Sequence, residues 1–229
     1  MISVKNFINN LFRVSWNSYP AIVLFLITII VFGYLSTIGI DDHHDGYILK
    51  TAIDIAHGKI LFRETTSQYG FLAPILQGLA MIFFGDKLIV IKLLTVFFYG
   101  VSAALLWVVW RRILPKWLAS VTGIGWLLLA PYYFGRFLPW SSVYALAAQL
   151  LTVYFIILFI ESKKNLFLLL SGAGTALIFL FRQPVGLVHF VAILAFLVGH
   201  QCSVRDKKLS CEYIFFVILG SCLYNPSYL

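Results

Sequence analysis

Long uncharged apolar runs, separated by short polar clusters, make up most of the chain. The first, residues 21–40, holds twenty positions without a charge. As a helix rising about 1.5 Å per residue it covers about 30 Å, the thickness of a bilayer's hydrocarbon core. By the same test residues 88–110, 117–134, 142–160, 166–181, 185–200 and 213 onward are further spans. The pattern predicts an all-α, polytopic transmembrane helical bundle of about seven spans, forming one transmembrane domain over residues 1–229. Ahead of it, residues 1–19 place Val4, Phe7, Leu11 and Phe12 on one helical face and read as an interfacial segment. Lys5 and Arg13 precede the first apolar run and no small-residue cleavage site follows it, so the start of the chain reads as an uncleaved anchor.

One apolar segment is too short to fit. Residues 71–84 number fourteen, roughly 21 Å of helix, less than the core requires. Its status orients everything after it. If it crosses, eleven Lys and Arg lie outside and six inside; if it does not, ten lie inside and seven outside. The positive-inside rule favours the second arrangement, in which residues 71–84 are re-entrant or interfacial and return to the outer face. Residues 41–87 then form an outer loop with juxtamembrane helices, and the N-terminus is cytoplasmic. The expectation is a multi-pass plasma membrane protein with its polar loop outside.

Composition narrows the choice of function. Of 229 residues, 61% are hydrophobic and 11% charged, with a mean hydropathy of +0.94, whereas a soluble domain is about a quarter charged. That excludes a soluble globular protein. The net charge of +8 comes from basic residues scattered singly between apolar runs, not from a patch that would track phosphates, so nucleic acid is excluded as a partner. Cys202, Cys211 and Cys222 show no paired metal or redox spacing. HExxH, GxSxG, Walker A and GxGxxG are absent, and DHHD lacks the cysteine of the DHHC acyltransferases.

The polar residues are concentrated in one place. Asp41, Asp42, Asp45, Asp54, Glu64, His43, His44 and His57 all fall between residues 41 and 70. Within this stretch Ile48, Leu49, Ala52, Ile53, Ile55 and Ala56 recur at helical spacing, with Lys50, Asp54 and His57 on the opposite face. A short amphipathic helix is expected, with Asp45 at its N-cap, Gly58 just past its end and Lys50–Asp54 as an i, i+4 pair. Asp45 has two readings: a structural cap, or a carboxylate at the lipid boundary that takes a proton from a substrate. His43 and His44 with Asp45 are weak candidates for a divalent metal, because adjacent ligands without a distant third group rarely hold one. The spans carry almost no ionisable side chains apart from His189 and Lys92, which argues against an ion-coupled transporter.

Residues 43–85, HHDGYILKTAIDIAHGKILFRETTSQYGFLAPILQGLAMIFFG, resemble the first outer loop of membrane glycosyltransferases with the C-type (GT-C) fold, bacterial relatives of the protein mannosyltransferase and aminoarabinose transferase families. An acid-Gly-aromatic start, a short helix ending in Gly, an aromatic-Arg-acid step, a Tyr-Gly turn and a final Phe-Gly follow in the same order. The resemblance implies an inverting transferase that uses a polyprenyl-phosphate sugar as donor and a hydroxyl on a glycan, lipid or protein as acceptor, working on the non-cytoplasmic side of the cell envelope. It implies Asp45 as general base, with Asp42 as substitute or partner. No cofactor is certain.

A departing polyprenyl phosphate needs cationic stabilisation, for which Arg63, Arg136 and Arg182 are the candidates, an arginine fork being suited to two phosphate oxygens. Each equally fits a span-end anchor. Gln68 and Tyr69 occupy the turn where relatives place donor-contacting groups, and Trp140 either stacks on a sugar or sits in the aromatic belt. Ser141 and Ser142 stand where many relatives carry a second acid. The chain has about half the length usual for the class, so it reads as an N-terminal half. Two other readings stay open: a non-catalytic membrane partner or fragment, and a lipid-linked-sugar flippase.

Overall fold

A computed structural model of the protein describes residues 19–129 and 139–204. The interfacial segment, Arg136, the last residues of the third expected span, the basic cluster Arg205, Lys207 and Lys208, and the span from residue 213 onward lie outside the described residues. Among the described residues the fold is all-helical: α1 (Tyr19–Ser36), α2 (His44–Ala56), α3 (Leu72–Phe84), α4 (Leu88–Ile113), α5 (Lys116–Leu129), α6 (Ser141–Ser162), α7 (Asn165–Phe181) and α8 (Gln183–Val204). One isolated bridge, Leu61 to Thr65, closes a turn.

Helices α4 and α6 are long and apolar enough to cross a membrane. The other helices of the bundle are apolar but shorter by that test. The first is shorter than its apolar run: Ser36 and Thr37 turn their hydroxyls back onto the carbonyls of Gly33 and Tyr34, both at 2.7 Å, and Gly39 takes a φ of 75°. Apolarity continues to Ile40, but the backbone has already left the helix.

Contacts between helix ends fix the direction of each helix. Near the start of α1, Ala21 and Leu24 pack on Ala103 and Trp107 of α4 and Ala119 of α5, whereas Phe32, near its end, packs on Val96. Thus α1 and α4 are antiparallel. Arg112 at the end of α4 pairs with Glu161 at the end of α6, at 2.6 Å, while Thr95 and Tyr144 meet at their beginnings. Tyr144 also stacks on Phe181 at the end of α7, and α8 returns so that Ile193 and Leu197 join Phe159, Phe167 and Leu168.

Helix α3 does not follow this up-and-down order. Its first turn packs on α7 through Ala73, beside Ile178 and Phe181, and its last turn packs on α2 and α4 through Met81, Ala52 and Ile91. Both of its ends lie at the end of the bundle where α1 finishes and α4 begins, so α3 runs across that end. The bundle interior is closed by small hydroxyls that satisfy themselves. Thr28, Thr95, Thr152 and Thr175 are fully buried, each donating to the carbonyl four residues back. In an apolar medium this pairs those four hydroxyls within their own helices, whereas the buried hydroxyls of Ser102 and Ser171 have no partner among the described residues. Outward-facing Ile22, Ile30, Phe83, Phe84, Leu128 and Val188 are exposed, as lipid-facing positions are.

Candidate functional site

The turn into α2 is built on a buried ion pair. Asp41 Oδ1 accepts a hydrogen bond from the His44 amide at 2.9 Å, so Asp41 closes the first turn. The sequence placed Asp45 at the cap; the structure puts it one residue inside the helix, because α2 begins at His44. Asp45 Oδ2 instead accepts from the Asp41 amide at 3.1 Å and pairs with Lys92 Nζ of α4 at 3.0 Å. Lys92 also donates to the Gly39 carbonyl at 3.1 Å. Both side chains are almost wholly buried, and Asp45 Oδ1 has no partner among the described residues. A pair this deep joins the end of α1, the start of α2 and the start of α4 into one unit.

The remainder of α2 follows its predicted periodicity. Asp54 bonds Lys50 at 2.9 Å and Lys59 at 2.7 Å, and these cations hold its carboxyl well below the usual carboxylate range. Gly58, with φ of 84°, reverses the chain after the helix. The returning loop is tied to α2 by the Thr66 carbonyl, which accepts from Tyr47 Oη at 3.0 Å and Thr51 Oγ1 at 3.2 Å. At its end Gly70 lies against the backbone of Leu180 and Phe181 so closely that a Cβ would overlap the Leu180 carbonyl. That contact brings Ser67, Gln68 and Tyr69 against the end of α7.

A cavity of about 120 Å³ opens between these elements. Its polar lining comes from His44, Tyr47 and Thr51 of α2, Ser67, Gln68 and Tyr69 of the loop, Gln77 of α3, Ser141 of α6 and Arg182; Trp140 forms part of the wall. Arg182 is positioned by Pro184. A proline is tolerated in the first turn of a helix but cannot continue one, because it lacks the N–H for the carbonyl four residues back, here Leu180, and its ring crowds that carbonyl; α7 stops at Phe181, α8 begins at Gln183, and Arg182 between them has an extended backbone. Its guanidinium stacks 4.3 Å from the Tyr69 ring centroid and donates to Ser142 Oγ. Among the described residues it has no ion-pair partner, and none of those that line the cavity is a carboxylate.

The structure therefore brings together His44, Gln68, Tyr69, Trp140 and Arg182. It leaves Asp45 behind the wall with Lys92, Asp42 and His43 exposed on the preceding turn, and Arg63 exposed on the turn closed by the Leu61–Thr65 bridge. The residue of the α2 turn that faces the cavity is His44, whose ring meets Trp140 edge-on at 5.8 Å and His43 at 5.2 Å. His43 and His44 gain no third ligand: among the described residues no group of three His, Cys, Asp or Glu is placed to hold a metal ion. Two participants escaped the sequence reading. Ser142, expected only as a missing acid, holds Arg182, and Gln77 is the single polar side chain in the run LAPILQGLAMIFF, a signal legible in retrospect.

A protein-family model described as dolichyl-phosphate-mannose-protein mannosyltransferase matches residues 69–224. The match begins past the acid-bearing turn and contains Gln77, Trp140, Ser142 and Arg182. No curated protein and no solved structure matches the chain.

Proposed function

Because the chain belongs to the dolichyl-phosphate-mannose-protein mannosyltransferase family, a family of membrane-embedded glycosyltransferases of the GT-C type, we propose that its cavity binds a polyprenyl-phosphate sugar and transfers the sugar to an acceptor hydroxyl. The observation that carries this reading is Arg182, held by Tyr69 and Ser142 in a cavity whose described lining contains no carboxylate. A fixed guanidinium without a countercharge is suited to a phosphate.

In the proposed reaction the acceptor oxygen attacks the anomeric carbon, the bond from that carbon to the phosphate oxygen breaks, and its electron pair leaves with the polyprenyl phosphate. Arg182 stabilises that charge. The proton of the acceptor hydroxyl goes to His44, the imidazole in the lining. Gln68 and Tyr69 contact the donor, and Trp140 packs against the sugar. A second reading keeps Asp45 as the base, favoured by its unpartnered Oδ1; it requires the first turn of α2 to open.

The same reading places the cavity on the non-cytoplasmic side of the plasma membrane and the N-terminus in the cytoplasm. The charge balance of ten basic residues inside and seven outside supports it, as does the course of α3 across one end of the bundle.

The test is sugar transfer from a short-chain polyprenyl-phosphate mannose in membranes holding the full chain. Arg182→Met is expected to abolish transfer with insertion unchanged. Transfer retained by His44→Ala but lost in Asp45→Asn returns the base to Asp45. Undiminished transfer by Arg182→Met refutes the donor site.

A further inference from the structure

Gln77 sits in the middle of α3 and is 3% exposed, yet it lines the cavity. A primary amide buried in a membrane-embedded wall has two donors and one acceptor to satisfy. Both ends of its hydrogen-bond network can be oriented from the chemistry of the partners.

Gln77 Nε2 lies 3.1 Å from the Pro139 carbonyl and 3.2 Å from Tyr144 Oη. A carbonyl can only accept, so the amide group facing Pro139 is the nitrogen, and the two ends of the amide are thereby distinguished. Next in the chain, Tyr144 Oη lies 2.8 Å from Thr95 Oγ1, and Thr95 donates its own proton to the Ile91 carbonyl at 2.8 Å. Thr95 must then accept from Tyr144, and Tyr144 must accept from Gln77. The protons run one way, from Gln77 through Tyr144 and Thr95 to the carbonyl of Ile91. Both Gln77 N–H groups are consumed, one by Pro139 and one by Tyr144. Its Oε1 has no partner among the described residues.

We infer that Gln77 is a specificity-determining residue of the cavity, whose fixed Oε1 accepts a hydrogen bond from one hydroxyl of the transferred sugar. This rests on the donor reading above and goes beyond it, because it names the group that reads the sugar ring rather than the phosphate. Two geometric features support the assignment. The amide is anchored at two points on α6 and its approach, Pro139 and Tyr144, so Oε1 cannot swing away when the cavity is empty. And the lining divides by chemistry: Arg182 offers only donors, suited to the phosphate, while Gln77 offers only an acceptor, suited to a hydroxyl. An oriented acceptor discriminates by what it loses, since a ligand without the hydroxyl leaves a buried oxygen unpaired.

The experiment uses the full chain in detergent and measures binding, by native mass spectrometry, of short-chain polyprenyl-phosphate mannose and its 2-, 3-, 4- and 6-deoxy analogues. Wild type is expected to bind one deoxy analogue more weakly than the parent by roughly 10- to 100-fold. Gln77→Leu is expected to lose that preference while its ratios for the other analogues stay at the wild-type values. Tyr144→Phe keeps Gln77 but removes one anchor, and is expected to reduce the preference at the same ring position. A loss confined to one position cannot come from general unfolding, and where Gln77→Leu fails to fold, Tyr144→Phe carries the comparison. Equal binding of all analogues by wild type, or an unchanged preference in the variants, overturns the role of Gln77 and leaves the donor reading standing. Failure of wild type to bind the parent overturns the donor reading and this assignment with it.

Discussion

Arg182 and Lys92 are both cations at the same end of the bundle, and their surroundings give them opposite roles. Lys92 is buried against Asp45 and a carbonyl, so its charge is spent within the fold. Arg182 is held by a ring face and a hydroxyl, neither of which neutralises it. Two predictions follow from this contrast. Arg182→Lys keeps the charge but loses the planar fork and the stacking on Tyr69, and transfer should fall by about 10²- to 10³-fold in kcat, as when one fixed donor to a developing anion is removed. Lys92→Met strands a buried carboxylate and should cost about 3–5 kcal/mol, whereas Asp45→Leu with Lys92→Met should recover most of that loss. Thermal unfolding in detergent measures both. Similar losses in the single and double variants would mean that the pair is not what holds α2 to α4.

Helices α2 and α3 shape the cavity, and each carries a local feature that can be tested. Asp54 is held well below the ordinary carboxylate range by Lys59 and Lys50. A carboxyl whose folded-state value is depressed contributes stability that is complete above the unfolded value of about 3.9 and is lost as pH falls through the folded one. Wild type should therefore lose stability more steeply than Asp54→Asn below about pH 4, as read from unfolding midpoints over an acid series. Parallel curves would show that the two lysines do not stabilise the fold through Asp54. At the other side of the cavity, Gly70→Ala places a Cβ into the Leu180 carbonyl. Overpacking of that kind costs typically 1–3 kcal/mol. Because Tyr69 stacks on Arg182, the displaced turn should also weaken donor binding, a coupling that a purely thermal readout would miss.

The bundle has two chemically distinct ends. One holds the cavity, α2 and α3; the other holds the Arg112–Glu161 pair. Under the proposed orientation, with native cysteines replaced by serine, a membrane-impermeant thiol reagent should label Gln68→Cys in spheroplasts and Glu161→Cys only after permeabilisation. The Arg112–Glu161 pair is partly exposed, so its removal should cost little, about 0–1 kcal/mol. The reverse labelling would invert the topology and place the cavity in the cytoplasm.

The helices were legible in the sequence because their signal is local. Apolar runs marked α4, α6, α7 and α8 to within a few residues, and the period of Ile48 to Ala56 marked α2. Where local signals competed, the reading slipped: the apolar run from residue 21 to 40 outlasts its helix because Ser36, Thr37 and Gly39 end it first. The polar loop was also legible as a cluster of candidate residues, and Arg182, Tyr69, Gln68, Trp140 and His44, which line the cavity, were named from it or from span ends. What residue types alone could not decide is which of these side chains share a cavity. Asp45 and His44 are neighbours in the chain, but one turns toward Lys92, 47 positions on, and the other toward Trp140. Gln77 finds its hydrogen-bond partners in Pro139 and Tyr144, 62 and 67 positions away. Helix formation depends on a few consecutive residues, whereas a site depends on faces brought together by packing, and only the folded bundle determines which faces meet.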